Sequence, residues 1–130
     1  MKKSKIKFII ATAIMLCITC VTVYASSYTT TLAFQGEHKG STREFDGQNI
    51  MYAAATYSSA PDSVVKVYTV SLYRKKFIGS TLIGKSKELQ RDAYNEVKWS
   101  NVGAGKYYLY FTKARDGINV YSNKVTIKNY

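Results

Sequence analysis

Downstream of residue 25 the sequence predicts an all-β domain: a single antiparallel β-sandwich, Ig-like or jelly-roll-like, of about seven to eight strands. Three observations carry that expectation. Short runs rich in Tyr, Val, Thr and Ile recur, separated by turn residues every eight to twelve positions. Within the runs, residues alternate between two faces with a period of two. The one helix candidate, Ser86 to Asn95, has no apolar face beyond Leu89 and Tyr94, and reads as an exposed loop or a short helical turn.

Each run has its own pattern. In the first, Tyr28, Thr30, Leu32 and Phe34 share one face, and Thr29, Thr31, Ala33 and Gln35 the other. Asn49 to Tyr57 sets Ile50, Tyr52 and Ala54 against Met51, Ala53 and Ala55. Both of its faces are small or apolar, which suits a central, covered strand. Ser58 to Ser63 contains Pro61 and reads as a loop. Val64 to Tyr73 follows, with Tyr68, Val70 and Leu72 as its inward set. Phe77 to Lys85 is a weaker run, interrupted by Gly79 and Gly84. Val97 and Trp99 oppose Glu96 and Lys98; Asn101 to Gly105 is then a sharp turn. Lys106 to Lys113 places Tyr107, Leu109 and Phe111 inward, opposite Tyr108 and Tyr110. The last run, Asn119 to Lys128, turns Tyr121, Val125 and Ile127 to one side. Arg115-Asp116-Gly117 lies between these two runs, and an Asp-Gly pair supplies the positive φ angles of a tight hairpin.

Residues 1–25 have the three parts of a secretory signal. Lys2, Lys3, Lys5 and Lys7 make a basic head, Phe8 to Val23 is almost wholly apolar, and Val23-Tyr24-Ala25 is a small-residue exit before Ser26. Residues 1–25 are therefore expected to be a signal peptide and 26–130 a secreted domain. The alternative is an uncleaved anchor, since Phe8 to Ala25 is just long enough to span a bilayer as a helix. Either way the domain faces outward, because the lysines hold the amino terminus inside.

About 105 residues remain, one domain's worth. Cys17 and Cys20 both lie in the signal, so the remaining chain is held by packing and hydrogen bonds. A cysteine-free exported domain points to a bacterium with a single membrane. Leu16 and Thr19 stand where lipid attachment wants a small residue, against a lipoprotein. The full chain carries 19 basic and 8 acidic side chains; without the signal's lysines the net charge is +7. Such an excess attracts anionic lipid head groups or wall polymers in a salt-dependent way. Nucleic acid fits the charge but not the export signal.

Chemistry-bearing constellations are sparse. His38 is the single histidine, in Gly36-Glu37-His38-Lys39-Gly40, and with no cysteine beyond the signal it lacks partners for a metal site. Glu44 and Asp46 share a strand face around Phe45, which reads as the polar edge of a strand. No serine has a base partner, and no phosphate-binding loop or dinucleotide fingerprint is present. The expectation is a protein that is not an enzyme, with no catalytic residues, no cofactor and no metal. The aromatic content is more informative. Eleven tyrosines follow the signal, and Tyr108 and Tyr110 would lie outward, flanked by Lys106 and Lys113. A row of tyrosines and lysines suits stacking on sugars or gripping a polyanion. Lys106, Tyr108, Tyr110 and Lys113 are the candidate binding residues.

Val67-Tyr68-Thr69-Val70-Ser71-Leu72-Tyr73, followed by Trp99-Ser100-Asn101-Val102-Gly103-Ala104-Gly105-Lys106-Tyr107-Tyr108-Leu109, resembles the strand-turn-strand of prealbumin-like and collagen-adhesin B-type modules of Gram-positive surfaces. The resemblance covers less than half of residues 26–130. It implies a structural or adhesive role and, in some members, a Lys–Asn isopeptide crosslink, for which Lys66 with Asn123 or Asn129 are the residues at hand. No acid sits mid-strand in an apolar run to catalyse that bond. The chain also shows no wall-sorting tail before Tyr130.

The sequence thus reads as a small secreted bacterial β-sandwich protein that acts by binding. Its expected partner is a cell-surface polymer such as an anionic wall polymer, an anionic membrane surface, or another protein. The alternative is a secreted antibacterial protein of bacteriocin type, which size, export, charge and aromatics also fit.

Overall fold

Ten strands pack as two antiparallel sheets in the structure, a computed structural model that describes residues 26–47 and 49–130. Residues 1–25, and with them the expected signal helix, lie outside the described residues. The strands are β1 (Ser27–Phe34), β2 (Glu37–Lys39), β3 (Arg43–Phe45), β4 (Ile50–Ala55), β5 (Tyr57–Ser58), β6 (Val67–Lys75), β7 (Ser80–Gln90), β8 (Tyr94–Trp99), β9 (Gly105–Thr112) and β10 (Val120–Asn129). The first sheet runs β1-β10-β4-β8, with β5 beside β10; the second runs β2-β9-β6-β7, with β3 beside β9. Because β2 and β3 occupy successive stretches of β9, and β4 and β5 of β10, they act as two interrupted strands. Eight strands in this order form two four-stranded sheets of jelly-roll type. The sandwich expected from alternation is the fold observed.

The core lies between the sheets, and the inward residues of each strand supply it. Leu32 and Phe34, Ile50, Tyr52 and Ala54, Tyr68, Val70 and Leu72, Val97 and Trp99, and Tyr107, Leu109 and Phe111 are all buried in one cluster. Strand β4 lies between β10 and β8, and Met51 and Ala53 on its outer side are buried too, as its two apolar faces predict. Phe111 sits near the middle, with ring centroids 5.8 Å from Phe34 and 5.7 Å from Tyr52.

Two hydroxyls share the core. Tyr52 and Tyr68 join by a buried hydrogen bond of 2.9 Å between their phenolic oxygens. Burial pushes the Tyr52 phenol well above the ordinary tyrosine range and raises that of Tyr68. A phenol with a raised folded-state pKa contributes stability that is complete below its unfolded value, near pH 10, and is lost as pH rises beyond it. Urea midpoints are therefore expected to fall steeply above about pH 10. The fall should be shallower in the Tyr52→Phe/Tyr68→Phe double variant; equal slopes would show that this pair does not set the alkaline limit.

Sequence expectations need correction in three regions, the first of them around β7. Ser86 to Asn95 is neither loop nor helical turn: it spans the end of β7, a turn at Arg91 to Ala93, and the start of β8. Strand β7 closes one edge of its sheet, with only β6 beside it among the described residues, and most of its side chains meet solvent. An apolar alternation is therefore not demanded of it. The run Phe77 to Lys85 begins too early, because Phe77 and Ile78 belong to the loop between β6 and β7.

Second, Arg115-Asp116-Gly117 does not close a hairpin. Strand β9 belongs to the second sheet and β10 to the first, so the segment crosses the sandwich. Gly117 does adopt the positive φ of 74° that the Asp-Gly pair suggests. Third, Tyr121 points outward, while Val120 and Ser122 are buried. Thr30 pairs with Val125 but Leu32 with Ser122, so Thr31 faces both Asn123 and Lys124. This bulge exchanges the faces of β10, and period-two reading is valid only on one side of it.

Candidate binding face

Strand β9 is the centre of the second sheet's outward face. Its alternation sends Tyr107, Leu109 and Phe111 into the core, so Lys106, Tyr108, Tyr110 and Thr112 must face out. Registration with β6 sets Tyr73 directly across from Tyr108, and Ser71 across from Tyr110. Registration with β2 sets Lys39 across from Tyr110 and Glu37 across from Thr112.

These pairings build a side-chain ladder. The rings of Tyr73 and Tyr108 stack, with centroids 5.4 Å apart and planes within 11°. Tyr110 meets Tyr73 edge-on at 6.2 Å and 90°. The Lys39 ammonium lies 4.5 Å from the centre of the Tyr108 ring. Leu82 of β7 pairs with Tyr73 on the other side and is partly exposed. A row of Lys39, Tyr108, Tyr73 and Leu82 thus crosses all four strands of the sheet. The Tyr110 hydroxyl donates to the Glu37 carboxylate, and that bond, with Glu37's charge, raises the Tyr110 pKa. Cross-strand contacts of this kind each contribute roughly 0.2–1 kcal/mol.

The arrangement changes the chemistry expected of this face. Ring faces of Tyr73 and Tyr108 are turned on each other, and Lys39 covers Tyr108, so flat stacking of a sugar on these rings is not what they offer. They present ring edges and phenolic oxygens, fixed in position by the ladder. Side chains that are already immobilised lose little entropy on binding.

Three of the four candidate residues lie together on this face: Lys106, Tyr108 and Tyr110. Lys113 does not join them. Its side chain is 0% exposed, and its ammonium is spent on the carbonyls of Gln35 and Ala114 and on Asp116 at 2.7 Å. Asp116 also accepts from Arg91, whose side chain is 1% exposed, at 2.9 Å. Arg91 Nε donates to the Val67 carbonyl. Lys113, Arg91 and Asp116 thus form a clamp that pins the β9–β10 crossing to the start of β6. The hydrogen bond from Lys113, then that from Arg91, holds the Asp116 carboxyl below the usual carboxylate range. Sequence reasoning missed Tyr73 and Lys39. Tyr73 alternates with the inward Leu72 and is therefore outward, but only the strand order brings it beside Tyr108.

The other singled-out residues lie elsewhere. His38 is on β2, half-buried, its ring 6.1 Å from Phe111. It lines a cleft of about 100 Å³ between the edges of the two sheets, with Tyr28, Arg43, Leu109 and Ile127. Arg43 lies 4.9 Å over the Tyr28 ring. Glu44 and Asp46 are exposed on either side of buried Phe45. Among the described residues, no group of three or more His, Cys, Asp or Glu side chains is placed to hold a metal ion. Lys66 and Asn123 are exposed, and Asn129 donates its side-chain amide to the Asn49 carbonyl.

No family model matches the chain, and no curated protein matches it. Solved structures do. The periplasmic inhibitor of g-type lysozyme, PliG, of Aeromonas hydrophila is 13% identical, covers 79% of this chain and 85% of its own, and gives a TM-score of 0.47. The Yersinia pseudotuberculosis-derived mitogen is 18% identical over 82% of this chain and 85% of its own, with a TM-score of 0.38. A protein of infectious bursal disease virus, Gx strain, is 11% identical over 82% of this chain and 33% of its own, also at 0.38. Likenesses at this level say nothing about what this chain binds.

Proposed function

We propose that the chain is a small exported bacterial β-sandwich that acts by binding, without catalysis, and that the outward face of β2, β9, β6 and β7 is its contact surface. The observation that supports this most is the Tyr73–Tyr108–Tyr110 cluster. Three phenols stand on a solvent-facing sheet where Thr and Ser would keep the strands soluble, and Lys39 and Lys106 flank them. The three rings are each half-buried, and a clustered aromatic patch on a solvent-facing sheet marks a contact site more often than scattered apolar residues do. Fixed phenolic oxygens suit a partner dense in hydroxyls, and the two lysines suit one that also carries negative charge. An anionic, polyhydroxylated cell-wall polymer has both properties. The reading of residues 1–25 as an export signal would bring the domain to such a polymer.

The test is sedimentation of residues 26–130 with isolated cell walls. Tyr73→Ser/Tyr108→Ser is expected to weaken binding about tenfold or more, at unchanged circular dichroism. Binding should also fall with added salt. If the double variant sedimented like the parent, this face would not be the contact surface. The antibacterial alternative is separated by adding the same protein to cultures of related bacteria: growth inhibition would favour it.

A further inference from the structure

The loop between β6 and β7 carries an exposed apolar pair. Phe77 is fully exposed and Ile78 is 84% exposed, at the tip of a hairpin that closes with Lys75 paired to Ser80. The turn is tight: the Lys76 amide donates to the Gly79 carbonyl at 3.0 Å, and Gly79 takes a φ of 73°. In this turn both side chains point away from the sandwich into solvent. Water contact at a Phe and an Ile is unfavourable, and neither residue is required by the turn itself.

The chain leading into and out of this tip carries charge of one sign. From Ser63 to Lys87 there is no acidic residue, while Lys66, Arg74, Lys75, Lys76, Lys85 and Lys87 are basic. Arg74 is engaged, donating to the Ala104 carbonyl at 2.9 Å. Lys75, Lys76 and Lys85 are exposed. The hairpin also stands at the edge of the molecule, since β7 ends its sheet. Pairing of β6 with β9 stops at Arg74, so the tip extends past the neighbouring strand.

We infer that the Phe77–Ile78 tip inserts into an anionic lipid bilayer, with Lys75, Lys76 and Lys85 on the head groups. An aromatic and an aliphatic side chain enter the boundary between head groups and acyl chains favourably, and nearby lysines add attraction to anionic lipid. Charge complementarity favours a membrane over an apolar protein groove, because the exposed ammonium groups of Lys75 and Lys76 directly precede the pair, Lys85 follows on the same hairpin, and each would have to be matched one by one in a protein. This site shares no residue with the tyrosine face, and its failure would leave that reading standing.

The experiment uses residues 26–130, which contain both sheets and the whole core cluster, so that the apolar segment 8–25 does not bind lipid on its own account. Binding to vesicles of phosphatidylglycerol and phosphatidylcholine is compared with binding to phosphatidylcholine alone. Preference for the anionic vesicles is expected, with a loss of roughly tenfold or more in Phe77→Ser/Ile78→Ser. Lys75→Gln/Lys76→Gln should lose the preference for anionic lipid, and Tyr73→Ser/Tyr108→Ser should bind vesicles as the parent does. A Phe77→Trp variant should shift its emission to the blue on anionic vesicles and be quenched by brominated acyl chains. Absence of vesicle binding by the parent, or equal binding by the Phe77→Ser/Ile78→Ser variant, would overturn the inference. So would emission from the Phe77→Trp variant that does not respond to lipid.

Discussion

Replacing Asp116 with alanine is expected to be among the most damaging single changes in this domain. Lys113 and Arg91 both end on this carboxylate, and their side chains are 0% and 1% exposed against 23% for Asp116. Removing the anion leaves the buried Arg91 guanidinium and the Lys113 ammonium without their shared counter-charge, with water reaching them only from the exposed side where Asp116 stood. Loss of the carboxylate shared by two buried cations is costlier than the cluster's own net contribution. The urea midpoint should fall by more than about 1 M. Asp116→Asn, which keeps one acceptor oxygen, should fall less. The same clamp makes an acid prediction. A carboxyl with a depressed folded-state pKa contributes stability that is present above its unfolded value, near pH 4, and lost as pH falls below it. The parent should therefore weaken below about pH 4 more than the Asp116→Asn variant does.

The second large effect separates two adjacent residues of β9. Phe111→Ala should cost about 3–5 kcal/mol, because a buried ring between Phe34 and Tyr52 leaves a cavity that two sheets cannot close. That is a large share of the roughly 5–15 kcal/mol typical of a domain this size. Tyr110→Ala should cost no more than about 1 kcal/mol, since only cross-strand contacts on the open face are lost. The comparison is made by equilibrium urea unfolding of both variants. Equal costs would mean that β9 does not present these two rings to opposite sides.

Much of the fold can be read from alternation because most strands are regular where they meet the core. Tyr68, Val70 and Leu72 are inward as the period requires, and both sides of β4 are buried as its composition requires. Where alternation misleads, a local irregularity or an edge explains it. The two-for-one bulge opposite Thr31 turns Tyr121 to solvent. Edge strand β7 has little apolar demand, which leaves its polar residues without a strand signature. The Asp-Gly pair identifies the local turn geometry but not a hairpin, because turn chemistry does not say which sheet the next strand joins.

The candidate face is legible in part for the same reason. Outward placement of Tyr108 and Tyr110 follows from one strand alone. The contribution of Tyr73 and Lys39 depends on strand order and register, and these are set by long-range pairing. Lys113 misleads because a terminal lysine reads as solvated, and only the crossing of the β9–β10 segment brings Arg91 and Asp116 to it. Phe77 and Ile78 read as the start of a strand, and that reading hides the exposure of the apolar tip.

On the function proposed above, this sandwich works through the outward face of its second sheet. Amide chemical-shift mapping of residues 26–130, titrated with soluble fragments of wall polymer, addresses it directly. Perturbations are expected to group on β2, β6 and β9 around Lys39, Tyr73, Tyr108 and Tyr110, with the first sheet unchanged. Perturbations confined to the first sheet or to the cleft beside His38, or none at saturating polymer, would contradict it.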